Sequence, residues 1–271
     1  MPAESTSSPS APLGMIGLGL LGSALAERAL AGGWQVRGFD LSEERRTNLA
    51  RLGGEACESA AQVAAGCNLL LFALPHDGIV REVLDALGPA LQAGTMILDA
   101  TTGDAEKMAA LGAELAQHGV TYLDATISGS SVQVRQGEAL LMVGGPQRAV
   151  EQCRPLCDVL ARQTIYTGSC GSGARMKLVT NLVLGLNRAA LAEGLVLAGV
   201  LDLDPAHALE VLKASAAYSR AMDTKGEKML RGDFEPQARL SQHLKDVHLM
   251  LAAAERDGQR LPLSETHREL L

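Results

Sequence analysis

Lys177 and Asn181 lie four residues apart, on one face of a stretch with helical periodicity, close to the start of a long apolar run. Their neighbours Met176, Leu178, Val179 and Leu182 are apolar. A lysine in that setting has two options. Its methylenes can carry the ammonium out to solvent, or the amine can sit in a cleft and trade a proton as a general acid–base. A second constellation precedes it. Asp124-Ala125-Thr126-Ile127-Ser128-Gly129-Ser130 follows the apolar run Val120–Leu123, and Gly137 comes seven residues later. A Ser-Gly-Ser turn leaves amides and hydroxyls available to an anion, but standing alone the segment reads as a polar loop.

The third constellation is Gly17-Leu18-Gly19-Leu20-Leu21-Gly22, a G-x-G-x-x-G between a run that reads as a strand and one that reads as a helix. Gly17 permits a tight turn, Gly19 lets backbone approach a pyrophosphate, and Gly22 allows close helix–strand packing. The helix start, with its free N–H groups, then faces the phosphates. Asp40 closes the next strand, eighteen residues after Gly22. A carboxylate there accepts hydrogen bonds from an adenosine ribose and repels a 2′-phosphate, which favours NAD over NADP. Arg45 and Arg46 follow closely and could reach such a phosphate. Leu74-Pro75 and Thr102 sit at the carboxyl ends of two further strands, where ligands bind in open α/β sheets. Thr102 either bonds the cofactor or caps the helix that follows.

The elements that must hold these residues are legible as an alternation. Leu13–Ile16, Gln35–Phe39, Leu69–Leu74, Met96–Asp99 and Val120–Leu123 read as short buried strands, with Leu21–Ala31, Ile79–Leu87 and Ala105–His118 as helices. Leu140–Val143 and Thr164–Tyr166 extend the sheet, with one helix between them starting near Pro146. After Gly168 the strands stop. Ala174 to about Leu201 reads as one long helix, which Gly185, Gly194 and Gly199 weaken without ending. Asp204-Pro205 opens the next helix, and Ala206–Ala214, Arg220–Leu230, Ser241–Arg256 and a segment from Pro262 to Leu271 continue the pattern. The expected architecture is α/β. Residues 11–167 form a Rossmann-type doubly wound dinucleotide-binding domain, and 168–271 form an all-α substrate and dimerisation domain beginning with a long interdomain helix. Residues 1–10 read as a disordered tail.

Composition narrows the function classes. The 271 residues carry 24 basic and 31 acidic side chains, net −7, with no basic run, which argues against nucleic acid or an anionic membrane as partner. Leu178–Leu201 is long enough to span a bilayer, but Asn181, Asn187, Arg188 and Glu193 make it read as a buried helix of a soluble protein. The five cysteines are odd in number and include no C-x-x-C, so the expected compartment is the reducing cytoplasm. His243 and His248 are five apart, on different helix faces, and no H-E-x-x-H occurs, so no metal site is expected.

Taken together, the sequence resembles the β-hydroxyacid dehydrogenase family, which includes 3-hydroxyisobutyrate dehydrogenase and tartronate semialdehyde reductase. The resemblance runs from Leu13 to Leu271. It rests on the glycine loop, the D-A-x-x-S-G segment at Asp124–Gly129, the G-x-G-x-x-x-K-x-x-x-N block ending at Asn181, and Lys245-Asp246. It implies hydride transfer between NAD(P) and a small 3-hydroxy acid or its semialdehyde, in a homodimer or homotetramer. It also implies roles: Lys177 as acid–base, Asn181 with Ser128, Gly129 and Ser130 on the substrate, and Leu74, Pro75, Thr102 and Lys245 at the cofactor. Thr126, Ser130 and Val134 depart from the family pattern, and the chain stops earlier than is usual there. Two rival readings remain. An imine reductase on the same fold generally carries Asp or Tyr at the position of Lys177, and a non-catalytic dinucleotide-binding module lacks that lysine.

Overall fold

The computed structural model describes residues 11–235 and 240–271; the expected disordered tail lies outside them. The chain forms two compact units that divide after Lys177.

The first unit holds eight strands: β1 (Leu13–Ile16), β2 (Val36–Phe39), β3 (Glu55–Ala56), β4 (Leu69–Phe72), β5 (Met96–Asp99), β6 (Thr121–Ser128), β7 (Leu140–Gly144) and β8 (Gln163–Gly168). They make one sheet in the order β3-β2-β1-β4-β5-β6-β7-β8. All neighbours are parallel except β6 and β7. The helices are α1 (Leu20–Ala31), α2 (Glu43–Arg51), α3 (Ala60–Gly66), α4 (Asp77–Leu87), α5 (Ala105–Gln117), α6 (Ser131–Arg135), α7 (Gln147–Gln152) and α8 (Arg154–Leu160), and α9 (Ser172–Val200) begins here. Strand residues alternate between two cores. Met15, Leu71, Leu98 and Leu123 pack with Leu25 of α1 and Leu156 and Leu160 of α8. Ile16, Leu70, Phe72, Ile97 and Tyr122 pack with Val63 of α3, Leu84 of α4 and Met108 of α5. Burial on both faces explains why these strands are continuous apolar runs. The strand order reverses between β1 and β4, so the loops after those strands flank the crevice where open α/β sheets bind ligands.

Several boundaries differ from the sequence reading. β6 runs on to Ser128, because residues 124–128 pair antiparallel with β7 in the register Asp124↔Gly144 to Ser128↔Leu140. The segment expected as a polar loop is therefore strand up to its serine. β3, two residues long, was not anticipated. β4 stops at Phe72, two residues short. The single helix expected between β7 and β8 is two, α7 and α8, which break at Cys153 ahead of Pro155.

The second unit comprises the rest of α9 with α10 (Pro205–Ala214), α11 (Arg220–Arg231), α12 (Leu240–Arg256) and α13 (Pro262–Leu270). Its described residues contain no strand. Asp204 caps α10 by accepting the Ala206 N–H at 3.1 Å. Leu191 and Leu195 of α9 pack with Leu209 and Met222, and Leu178 packs with Val247 and Met250 of α12. Gly185 sits mid-helix for a packing reason: a Cβ would lie 2.7 Å from His243 Nε2 and 3.0 Å from His267 Nε2. The expectation that α9 is a buried helix is corrected. Only 22% of its apolar window is buried, and Val179, Val183, Val196, Leu197 and Val200 are more than half exposed.

Candidate active site

The glycine loop separates into positions required by the protein's own packing and one that is not. Gly17 takes φ +92°, and a Cβ there would lie 2.5 Å from the Ala73 carbonyl oxygen. A Cβ on Gly22 would lie 2.0 Å from the Gly17 carbonyl oxygen. Both glycines let α1 close down on the β1 turn. Gly19 has an ordinary φ of −67°, and the nearest atom to a Cβ would be Arg45 Nη1 at 4.0 Å. Among the described residues nothing demands glycine at 19. The space a side chain would fill lies at the N-terminus of α1, where the first N–H groups have no intrahelical acceptor and no side chain caps them. A pyrophosphate accounts for that arrangement. Leu18, Leu20 and Leu21 complete the loop; Leu18 is buried and Leu20 exposed.

Asp40 follows β2 and is held from two sides. Its Oδ2 accepts the Leu18 N–H at 2.8 Å and its Oδ1 the Ser42 N–H at 2.9 Å. Arg45 Nη1 approaches both oxygens at 3.3 Å, and Arg46 donates to the Asp40 carbonyl at 2.8 Å while stacking over Phe39. The carboxylate is thereby fixed against the glycine loop. Leu74, after β4, donates its N–H to Thr101 Oγ1 at 3.1 Å, which ties this loop to the segment that follows β5. Asp99 accepts the Thr101 N–H at 2.8 Å and the Tyr122 hydroxyl at 2.5 Å. Complete burial pushes the Asp99 carboxyl up to about 6, against the lowering effect of those bonds. Burial also pushes the Tyr122 phenol well above its usual range.

Asp124 lies beside Asp99 in register and is also buried, which raises its pKa. Its two oxygens accept the Gly171 and Ala174 N–H groups, each at 2.8 Å, at the start of α9. One helical turn on, Lys177 is half-buried and its Nζ donates to the Ile127 carbonyl oxygen at 2.5 Å. The amine therefore rests at the end of β6, one residue before Ser128-Gly129-Ser130. Ser130 also opens the helix that follows. Its hydroxyl accepts the Gln133 N–H and its own N–H donates to Gln133 Oε1 at 2.9 Å, a capping box for α6. Arg135, at the end of α6, pairs with Glu27 of α1 at 2.8 Å. In the second unit, Asn181 Nδ2 donates to Asp246 Oδ2 at 2.7 Å, and Lys245 Nζ lies 3.3 Å from Asp246 Oδ1.

Residues 12–168 match the family model described as the NAD-binding domain of 6-phosphogluconate dehydrogenase. Residues 171–271 match the one described as the NAD-binding domain of NADP-dependent 3-hydroxyisobutyrate dehydrogenase. The chain belongs to the β-hydroxyacid dehydrogenase family. It is 33% identical to 2-(hydroxymethyl)glutarate dehydrogenase of Eubacterium barkeri over 93% of this chain and 85% of that protein. It is 29% identical to 2-hydroxy-3-oxopropionate reductase of Escherichia coli (strain K12), over 95% and 89% of the two chains. The structure of a Mycobacterium tuberculosis 3-hydroxyisobutyrate dehydrogenase with L-serine superposes with a TM-score of 0.87 at 25% identity, covering 96% and 92%. Like other β-hydroxyacid dehydrogenases, the chain is an NAD(P)-dependent oxidoreductase.

In this β-hydroxyacid dehydrogenase, two groups of the expected residues are each gathered by the fold. The glycine loop, Asp40, Leu74, the Ser128–Ser130 segment and Lys177 lie in the first unit, while Asn181 and Lys245 meet at Asp246 in the second. Asp99, Thr101 and Tyr122 were given no role from sequence, and Thr126 and Asp246 entered only through the resemblance. The signal available was a charged or hydroxyl residue inside an otherwise apolar strand, as at Asp99 and Asp124, because such groups stay buried only with partners.

Proposed function

We propose that this β-hydroxyacid dehydrogenase acts on a small 3-hydroxy acid of the 3-hydroxyisobutyrate type, prefers NAD, and uses Lys177 as its general acid–base. The observation that carries the reading is the Lys177 amine lying on the Ile127 carbonyl, next to the Ser128-Gly129 turn. The substrate carboxylate binds the Ser128 hydroxyl and Gly129 N–H, with Asn181 one turn beyond Lys177 on the same helix. Lys177 hydrogen-bonds the reacting oxygen, taking its proton in oxidation and returning one in reduction. The loop Gly17–Gly22, Leu74, Pro75 and Thr102 would hold the dinucleotide, with Asp40 on its ribose. When bound, its nicotinamide accepts or returns the hydride.

The names of three relatives support the acid class. 2-(Hydroxymethyl)glutarate, glycerate (the reduced form of 2-hydroxy-3-oxopropionate) and L-serine all contain a hydroxymethyl group one carbon from a carboxylate. A screen with NAD and NADP over 3-hydroxyisobutyrate, 3-hydroxypropionate, glycerate, serine, threonate and 2-(hydroxymethyl)glutarate tests the reading. Turnover of at least one acid, faster with NAD, is expected. Silence across the panel removes the acid class, and a large NADP preference removes the role given to Asp40.

The exposed valines and leucines of α9 support a second copy of the chain as partner, in a homodimer or homotetramer. Light scattering should give two or four times the 28.3 kDa chain mass. A monomer at micromolar concentration contradicts it.

A further inference from the structure

Thr126 is fully buried in the middle of β6, where its neighbours on the strand, Ala125 and Ile127, are apolar. Its hydroxyl donates to the Gly173 carbonyl oxygen at 2.9 Å. Gly173 lies in the first turn of α9, four residues before Lys177. A carbonyl in the first turn ordinarily accepts the N–H four residues on, and for Gly173 that N–H belongs to Lys177 itself. A carbonyl oxygen has two lone pairs, so it can accept from both. Thr126 thus bonds the peptide group whose intrahelical partner is the backbone of the lysine.

The same strand holds α9 at two more points, Asp124 on the Gly171 and Ala174 N–H groups and Ile127 on the Lys177 amine. The glycine at 173 fits this closeness, since a Cβ there would lie 2.6 Å from the Asp124 carbonyl oxygen and 2.8 Å from that of Met142. Asp124 holds two N–H groups at the helix start. Without Thr126 the turn could still rotate about that anchor, and rotation moves Lys177 relative to the Ser128-Gly129 turn.

We propose that Thr126 is a positioning residue, which holds the first turn of α9 against β6 and so sets the place of the Lys177 amine. The inference rests on Lys177 being the acid–base of the proposed reaction. A displacement of about 1 Å at a reacting group can cost about 10²-fold in rate, so a loss of about 10- to 100-fold is the expected scale.

The test compares T126V, which keeps the shape and removes the hydroxyl, with T126S, which keeps the hydroxyl. T126V should lower kcat about 10- to 100-fold with the NAD dissociation constant unchanged, and T126S should stay within about three-fold of the parent. Labelling of Lys177 by an amine-directed acylating reagent, followed by peptide mass mapping on the substrate-free protein, should be faster in T126V and unchanged in T126S. If T126V does not fold, T126A is judged by the same criteria. Parental kcat and labelling rate in the hydroxyl-less variant overturn the proposal, as does equal damage in T126S. K177A separates the two readings. A dead K177A beside an unimpaired T126V sinks only the role of Thr126, whereas an active K177A sinks the acid–base assignment and this inference with it.

Discussion

Lys177→Ala is expected to reduce turnover by at least about 10²–10⁴-fold, the usual worth of placed acid–base catalysis, while NAD affinity changes little. The separation follows from the geometry. The amine reaches the end of β6, whereas the loop that would hold the dinucleotide follows β1 and opens α1. Alanine is the better helix former, and Lys177 is only half-buried, so the variant should fold and melt close to the parent. Lys177→Arg should not restore activity. A guanidinium keeps its proton near neutral pH, and its planar fork does not reproduce the single N–H that Nζ directs at the Ile127 carbonyl. Steady-state kinetics with the acid identified in the screen, alongside calorimetric titration with NAD, measure both quantities. Retention of parental turnover in either variant would remove Lys177 from the chemistry, and a large loss of NAD affinity would make its role one of cofactor binding.

Much of the sheet was legible because parallel strands covered on both faces are near-continuous apolar runs. Leu-Leu-Leu-Phe at 69–72 and Met-Ile-Leu at 96–98 leave little else for those segments to be. β6 was cut short for the converse reason. Asp124 and Thr126 look like the start of a loop until their partners are known, and those partners are 47 to 50 residues away: Gly171 and Ala174 for Asp124, Gly173 for Thr126, all at the start of α9. The glycine loop and Asp40 could be found locally, since turn, helix start and second strand are contiguous. The Asp99–Tyr122 bond could not, since it joins two strands 23 residues apart whose adjacency comes from the sheet order. The Thr101 bond to the β4 loop could not be found either, since it depends on the turn that Asp99 makes by accepting the Thr101 N–H. The exposure of α9 was missed because hydropathy is the same for a helix buried in its own chain and for one left to be covered by another.

Gly19 and Gly22 should respond in opposite ways to one added methyl group. Gly22→Ala places a carbon 2.0 Å from the Gly17 carbonyl oxygen, which belongs to a residue at φ +92° packed close to Ala73. Both atoms are backbone, so neither can swing aside as a side chain would. The expected cost is at the upper end of the roughly 1–3 kcal/mol typical of overpacking, or beyond it, seen as a fall in Tm of the cofactor-free protein or as loss of soluble expression. Gly19→Ala meets nothing nearer than Arg45 Nη1 at 4.0 Å, and φ of −67° suits alanine. The cofactor-free variant should therefore melt within about a degree or two of the parent, because replacements away from special backbone and packing are close to neutral. The methyl instead projects where the phosphates must approach the α1 N-terminus. An overlap costing about 1–3 kcal/mol in the complex alone weakens NAD binding by roughly 5- to 150-fold. Calorimetric titration of NAD into both variants, with melting curves recorded without ligand, separates the two costs. If Gly19→Ala binds NAD as tightly as the parent, the phosphates do not lie on this helix start. In that case the glycine at 19 has no physical reason in the structure, and Asp40 has no ribose to meet.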